Sequence, residues 1–230
     1  MANIILNIEE CNSITPVIYG ALYNGKVVDD IRNIGNGNFR LPTYSEINDL
    51  AIFLGGNDGG AAKLKDTGTL YWNEPNSNAT NEYGFNARGS GYREVLGFHY
   101  RKIGVSYWTS EINAPNNHNV MSIEASDEYL RTDSTSAPDN FGLSIRLVND
   151  STSLNEGEIG TYTQNDGRII STIVINGLEW TMNIIETKYN NGDWVTGYIG
   201  GVYTPISNSE WANLETEGMC FYEDANEIIS

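Results

Sequence analysis

Few residues of this chain are of types that do chemistry. Its only histidines are His99 and His118, and its only cysteines are Cys11 and Cys220. Neither histidine stands in a His-Glu-x-x-His or Gly-x-Ser-x-Gly context, so the sequence carries neither a zinc-protease helix nor a nucleophile elbow. His99 sits between Phe98 and Tyr100 and reads as a structural or surface residue. Two cysteines without Cys-x-x-Cys spacing make neither a metal knuckle nor a disulfide framework, and a bridge between them needs the chain ends to meet. No catalytic residue is assigned, and the chain is expected not to be an enzyme. Glu74-Pro75-Asn76 offers oxygens that suit a hard cation, so Glu74 and Asn76 are the weak metal candidates for calcium. The same tripeptide also spells a turn, which is the preferred reading, and no cofactor is assigned. Asp127, Glu128 and Asp133 could ligate too, although a solvated acidic loop explains them equally well. The ligand-binding candidates are Asn116, Asn117, His118, Tyr129, Arg131 and Asp133, because amide, aromatic and guanidinium groups together suit protein or glycan recognition.

The elements that must hold these residues are short. The chain has 230 residues, 40% hydrophobic and 11% aromatic, with 24 glycines. That is enough for a core, in a loop-rich and strand-rich architecture. Pro42 precedes the clearest helix: Thr43 and Glu46 form a capping-box pattern, and Ile47, Leu50, Ala51 and Leu54 recur at helical spacing. Gly55-Gly56 stops it. Ser207 and Glu210 start a second, shorter helix with Trp211 and Leu214 inward. Asn176-Gly177, between Thr-Ile-Val-Ile and Leu-Glu-Trp, marks a hairpin over 169–182. Residues 112–140 read as polar loop broken by short strands at Asn-Val-Met-Ser-Ile-Glu-Ala and Glu-Tyr-Leu-Arg-Thr-Asp. Residues 1–18 read as an arm whose Ile4, Leu6 and Ile8 alternate like a strand, suited to pairing with a neighbour's sheet edge. Residues 151–165 are polar and patternless and read as a linker.

The net charge is −17. Residues 151–230 carry 12 acidic and 2 basic side chains, and residues 1–150 carry 18 and 11. With no basic stripe, nucleic-acid binding is not expected. No apolar run approaches the ~20 residues that span a bilayer, so no membrane insertion is expected. The acidity favours solubility and leaves attraction to cations or a basic partner as the sharper alternative. The N-terminus lacks the features of a signal peptide.

Arg40-Leu41-Pro42-Thr43, Lys63-Leu64-Lys65, Asn78-Ala79-Thr80-Asn81-Glu82, Gly84-Phe85, Gly91-Tyr92-Arg93, Tyr107-Trp108 and Phe141 to Arg146 together resemble the Fibrobacter succinogenes major paralogous domain. That family is common in Bacteroidetes and their mobile elements. Its usual opening is similar to residues 167–226, which here follow the rest: GRIISTIVINGLEWTMNII, SEWANL and MCFYEDAN. The resemblance implies a C-type-lectin-like fold, with residues 19–150 and 166–230 forming one circularly permuted domain and 151–165 joining the original termini. The expected class is thus α+β, with two short helices and mostly short antiparallel strands. Completion of a neighbour's domain by swapping is the rival arrangement. The family often pairs a cysteine before Arg-Leu-Pro-Thr with the one matching Cys220; here Asn38-Phe39 stands there. The fold also implies a long loop region over roughly 86–135, in which Tyr92 and Trp108 are better read as core.

These readings lead to an expected function. The chain is a non-enzymatic structural or adhesion module of a Bacteroidetes bacteriophage virion, in a capsid, head fibre or tail. It attaches to other virion proteins through its arm, acts as a homo-oligomer and binds host surface glycan or protein. The alternatives are a bacterial cell-surface or secreted ligand-binding protein and a calcium-dependent lectin.

Overall fold

The computed structural model describes residues 19–132, 136–199 and 201–222. The expected arm, Cys11 and Asp133 lie outside the described residues. The architecture is α+β, with four short helices among the described residues and mostly antiparallel strands. The two expected helices are both present. In α2 (Tyr44–Phe53), the Thr43 side chain accepts from the Glu46 amide while the Glu46 carboxylate accepts from the Thr43 amide. Ile47, Leu50, Ala51 and Leu54 are all buried. The short α4 (Asn208–Ala212) repeats the capping box with Ser207 and Glu210 and buries Trp211. The other two are additions to the expected pair: the single turn α1 (Gly25–Val28) and α3 (Asn57–Leu64). Gly56, at φ 105°, is both the stop of α2 and the N-cap of α3, a backbone region that glycine takes without strain.

Among the described residues, the strands group into four sheets. The largest has the order β3-β2-β4-β5-β6, from β2 (Ser90–Glu94), β3 (Gly97–Arg101), β4 (Gly104–Ala114), β5 (Asn117–Glu124) and β6 (Ser136–Pro138). Its β2–β4 contact is parallel, and the others are antiparallel. Much of the region expected as long loops is therefore sheet. The residues from Ile112 to Asn119 form the tip of the β4–β5 hairpin, where the register shifts between Trp108 and Ala114.

The second sheet, β7-β10-β9-β8, contains β7 (Val148–Asn149), β8 (Ile159–Thr163), β9 (Ile169–Ile175) and β10 (Leu178–Thr181). The expected hairpin is β9–β10, turned by Asn176 and Gly177 at φ 54° and 72°. Both values are positive, as a two-residue type I′ turn requires. The expected linker is only partly one: its second half is β8, which pairs with β9 from Ile159↔Ile173 to Thr163↔Ile169 and buries Tyr162. Two-stranded ladders complete the set, β11 (Tyr198–Ile199) with β12 (Val202–Tyr203), and β1 (Leu22–Tyr23) with β13 (Met219–Cys220). Cys220 is buried in that last ladder.

Residues before and after the 151–158 connection share the same core. One cluster combines Ile47, Leu64, Trp72 and Tyr107 with Ile173, Ile175 and Trp180; a second combines Tyr23, Trp108 and Ile145 with Ile184, Tyr189 and Met219. β10 pairs with β7, so the 169–181 hairpin extends the sheet strand that closes the first part. Two buried arginines cross the same seam. Arg146 donates to the carbonyls of Phe85, Asn86 and Thr181 and to Asn183 Oδ1, at 2.6 to 3.0 Å, with Phe85's ring 3.8 Å from its guanidinium. All four acceptors are neutral, and burial pulls its pKa below the usual guanidinium range. Arg93 donates to the Ile206 carbonyl at 2.6 Å and to Asn208, between the rings of Phe98 and Trp211. The described ends also meet: the Arg101 guanidinium lies over both Tyr19 and Tyr222, 5.9 and 5.6 Å from the ring centres.

Candidate functional site

The five-stranded sheet carries a groove of about 290 Å³ whose walls are aromatic and whose rim is charged. Tyr92 on β2 lies between Phe141 and Tyr100: its ring stacks on Phe141 at 5.6 Å and 13° and on Tyr100 at 5.4 Å and 30°. Tyr100, at the end of this ladder, is 48% exposed and held at φ 65°. A tyrosine in the left-handed region costs on the order of 1–3 kcal/mol, so the surrounding sheet has to enforce it. Across from it, Ser106 and Ser122, cross-strand neighbours on β4 and β5, share a 2.8 Å hydrogen bond. Glu124 and Arg131 form the rim, with Arg131 Nη2 3.7 Å from Glu124 Oε2.

The rim is held from behind. Arg131 clamps Asp127 through both terminal nitrogens. That hydrogen bonding holds the Asp127 carboxyl below the usual carboxylate range and raises the Arg131 guanidinium. Arg131 also exchanges two backbone hydrogen bonds with Ser122, which fixes its segment beside β5. Lys65, fully buried, donates to the carbonyls of Glu124 and Asp127. Burial lowers its pKa to about 8. The second lysine of the Lys63-Leu64-Lys65 motif is thus the post on which the 124–127 turn hangs.

The expected binding residues divide. Arg131 is at the groove and Tyr129 is beside it, partly buried, with its ring 5.8 Å from the Arg131 guanidinium. Asn116, Asn117 and His118 lie elsewhere, at the far tip of β4–β5. Asn116 is exposed there and Asn117 half-buried, whereas His118 is turned inward and is 1% exposed. Its Nδ1 is 2.9 Å from Asp139 Oδ1 and its Nε2 3.0 Å from Asp29 Oδ1. Lys26 in turn donates to Asp139 at 2.9 Å and faces Asn116 Oδ1 at 3.4 Å. Asp29, His118 and Asp139 are metal-ligand types gathered within 4.8 Å. With each ring nitrogen turned to its own carboxylate, however, the imidazole acts as a tie between α1, β5 and the turn after β6. An ion there could use only one of the two nitrogens. The position of His118 was readable in part: in β5 it shares the strand face of Val120, two residues on, which is core.

Glu74 is exposed, and Asn76 turns inward, donating to the carbonyls of Asp66 and Gly68. The preferred reading as a turn therefore describes what these residues do locally. Trp108 is core, as expected, and its indole donates to the Tyr23 carbonyl. What sequence reading missed is the pairing of Tyr92 with Tyr100 across the β2–β3 turn. Val95-Leu96 carries none of the usual turn residues, and only Gly97, at φ 130°, hints at the reversal.

A second cleft, of about 390 Å³, lies at the seam between Asn86–Arg88 and residues 164–185. Its arginines are engaged, Arg168 with Asp166 and the Ile185 carbonyl and Arg88 with Asp66. Among the described residues, no helix is long and apolar enough to cross a membrane.

The motifs that line and brace the groove, Lys63-Leu64-Lys65 and Gly91-Tyr92-Arg93, fall inside a family match. The model described as the Fibrobacter succinogenes major domain matches residues 9–149. The chain belongs to the Fibrobacter succinogenes major domain family. Among curated proteins and solved structures, nothing matches the chain. The family match ends at Asn149, the last residue of β7, so the groove lies wholly within the family domain. The seam cleft is shared between that domain and the residues after it.

Proposed function

We propose that this family member is a non-enzymatic binding and adhesion module of a bacteriophage particle infecting Bacteroidetes, with the Tyr92–Tyr100 groove as the face that meets host glycan or protein. The observation that carries the binding reading is the groove itself: a strained, half-exposed tyrosine and a charged rim braced by a buried lysine. Backbone strain kept at an exposed site is the mark of a position held for contact rather than for stability. The histidines favour a binding role over a catalytic one, since His118 is tied between two carboxylates and His99 packs on Tyr92 beside Glu94. The particle setting rests on the distribution of the family in Bacteroidetes and their mobile elements. The acidic surface is in keeping with a component that must stay soluble until it assembles.

The fold we infer is C-type-lectin-like, with its strand order rotated. Three contacts support the rotation: the β7–β10 pairing, the β1–β13 ladder, and Arg146 joined to residues on both sides of the 151–158 connection. A connection of this length closes two adjacent ends at small entropic cost. Mass spectrometry of purified virions from Bacteroidetes phages that carry the gene tests the assignment. The chain should be recovered in stoichiometric amounts, and its absence from particles would remove the virion reading.

A further inference from the structure

The groove's lining also specifies the chemistry of what it holds. Its wall is the exposed face of Tyr100, backed by Tyr92 and Phe141, which offers a flat apolar surface. Its rim places the Glu124 carboxylate 3.7 Å from the Arg131 guanidinium, an acceptor beside a donor whose charge Asp127 already balances from behind. Its floor is the Ser106–Ser122 hydroxyl pair and the backbone at Gly104. A cationic ligand would meet Arg131, and an anionic one would meet Glu124 in a chain of net charge −17. A purely apolar ligand would strip water from the Glu124 carboxylate and give it no hydrogen bond in return. The volume, about 290 Å³, lies at the bottom of the range of small-molecule pockets, which suits a single ring. A ring with one apolar C–H face and neighbouring hydroxyls at its edge meets all of these conditions.

We propose that this groove is a saccharide subsite holding one neutral pyranose, its C–H face on Tyr100 and two adjacent hydroxyls shared between Glu124 and Arg131. The proposal rests on the reading of the chain as a binding module and specifies the ligand class at that site. Tyr100 is the stacking platform, and Asp127 and Lys65 are positioning residues, the first orienting Arg131 and the second fixing the carbonyls of the 124–127 turn.

Two substitutions remove the subsite without touching the core. Tyr100→Gly deletes the platform and places glycine at φ 65°, where it is unstrained. At Gly104 a Cβ would meet Ile123 O at 3.5 Å, Tyr100 Cδ1 at 3.7 Å and Glu124 Cγ at 3.8 Å, which is ordinary contact, so Gly104→Val fills the groove from its floor. The probes are the methyl glycosides of glucose, galactose, mannose and N-acetylglucosamine, titrated into the full chain and read by saturation-transfer NMR. Melting curves of the three proteins serve as the check on folding. At least one glycoside should bind, with affinity reduced about tenfold or more in both variants while both still melt cooperatively. Silence from all four glycosides, or binding that folded variants retain, overturns the subsite. A parallel assay of labelled chain on Bacteroidetes cells separates the two readings. Cell binding unchanged by both variants, without a glycoside signal, overturns the saccharide subsite and leaves the adhesion reading standing.

Discussion

Replacing Glu186 by glutamine should make the protein more stable, and by an amount that grows with pH. Glu186 is fully buried where β8, the 164–168 turn and the segment after β10 meet. Its Oε1 accepts from Tyr162 Oη at 2.5 Å, and the Asn165 amide donates to both carboxyl oxygens at 2.9 and 3.1 Å. Burial raises its pKa from 4.5 to about 8, Asp166 adds to the rise, and Tyr162, the Asn165 amide and Arg168 oppose it. In the unfolded chain the carboxyl ionises near 4.5, so between pH 4.5 and 8 the native state holds a proton that the unfolded state has released. Stability must then fall as pH rises through that window. It is fully present below 4.5, lost progressively, and level again above 8. At about 1.4 kcal/mol per pH unit over roughly 3.5 units, the whole change is on the order of 5 kcal/mol. Glutamine imitates the neutral acid and does not titrate. Denaturant unfolding followed by tryptophan fluorescence, at intervals from pH 5 to 9, measures both proteins. Near pH 5 they should agree within ~1 kcal/mol; near pH 8.5 Glu186→Gln should lead by several kcal/mol, with m-values alike. Taking the difference between the two removes the titration of the other carboxylates. A difference that stays flat across the range would refute the reasoning, because it would mean the carboxyl is ionised in the folded protein at pH 5.

Three further outcomes follow from the structure. Arg146→Met should destabilise by ~3 kcal/mol or more, since three carbonyls and the Asn183 oxygen lose a buried donor. Arg146→Lys should recover little, because an ammonium cannot span four acceptors set for a planar fork; both are read from denaturation midpoints. Thr43→Ala removes one half of a capping box and should cost ~1 kcal/mol without altering far-UV circular dichroism. A rearranged chain, opened between Ser151 and Thr152 and closed by a short linker from Tyr222 to Tyr19, should fold with stability within ~1 kcal/mol of the original. That cut crosses exposed connection and leaves the β7–β10 and β8–β9 pairings whole. Its failure to fold would argue against the rotated order.

The parts of the fold legible in sequence were those written locally. Thr43 with Glu46, Ser207 with Glu210, and Asn176-Gly177 each fix a helix start or a turn within four residues, and each element stands where those residues predict it. What stayed hidden depends on distant partners. Residues 57–64 contain Gly59-Gly60, a poor helical prospect on propensity. They form α3 because Gly60 packs against Leu130 and because Ala61, Ala62 and Leu64 reach the core. Residues 159–163 lack an apolar pattern and become β8 only by pairing with β9, with Tyr162 as the single anchor turned inward. The groove was half visible. Arg131 and Tyr129 were noticed as residue types, but Tyr92 was read as core, and its stack between Tyr100 and Phe141 joins end positions 41 residues apart, from 100 to 141, which no local pattern encodes. His118 was noticed as a residue type, but its burial and its two aspartate partners, at positions 29 and 139, depend on distant segments.

The clasp of Arg101 over both Tyr19 and Tyr222 bears on how the molecule carries load. When a protein is held at one point and pulled elsewhere, the bonds nearest the holding point take the force first. Here the two described ends converge on one side chain, and the ladder behind them, β1 with β13, is only two residues long. Tension applied through either end would therefore peel that ladder one bond at a time instead of shearing a sheet along its length. The deeper ties at Arg93 and Arg146 would then decide whether the rest of the domain stays closed. Mounted by its ends, the module would yield first at its mooring and keep its groove intact longest.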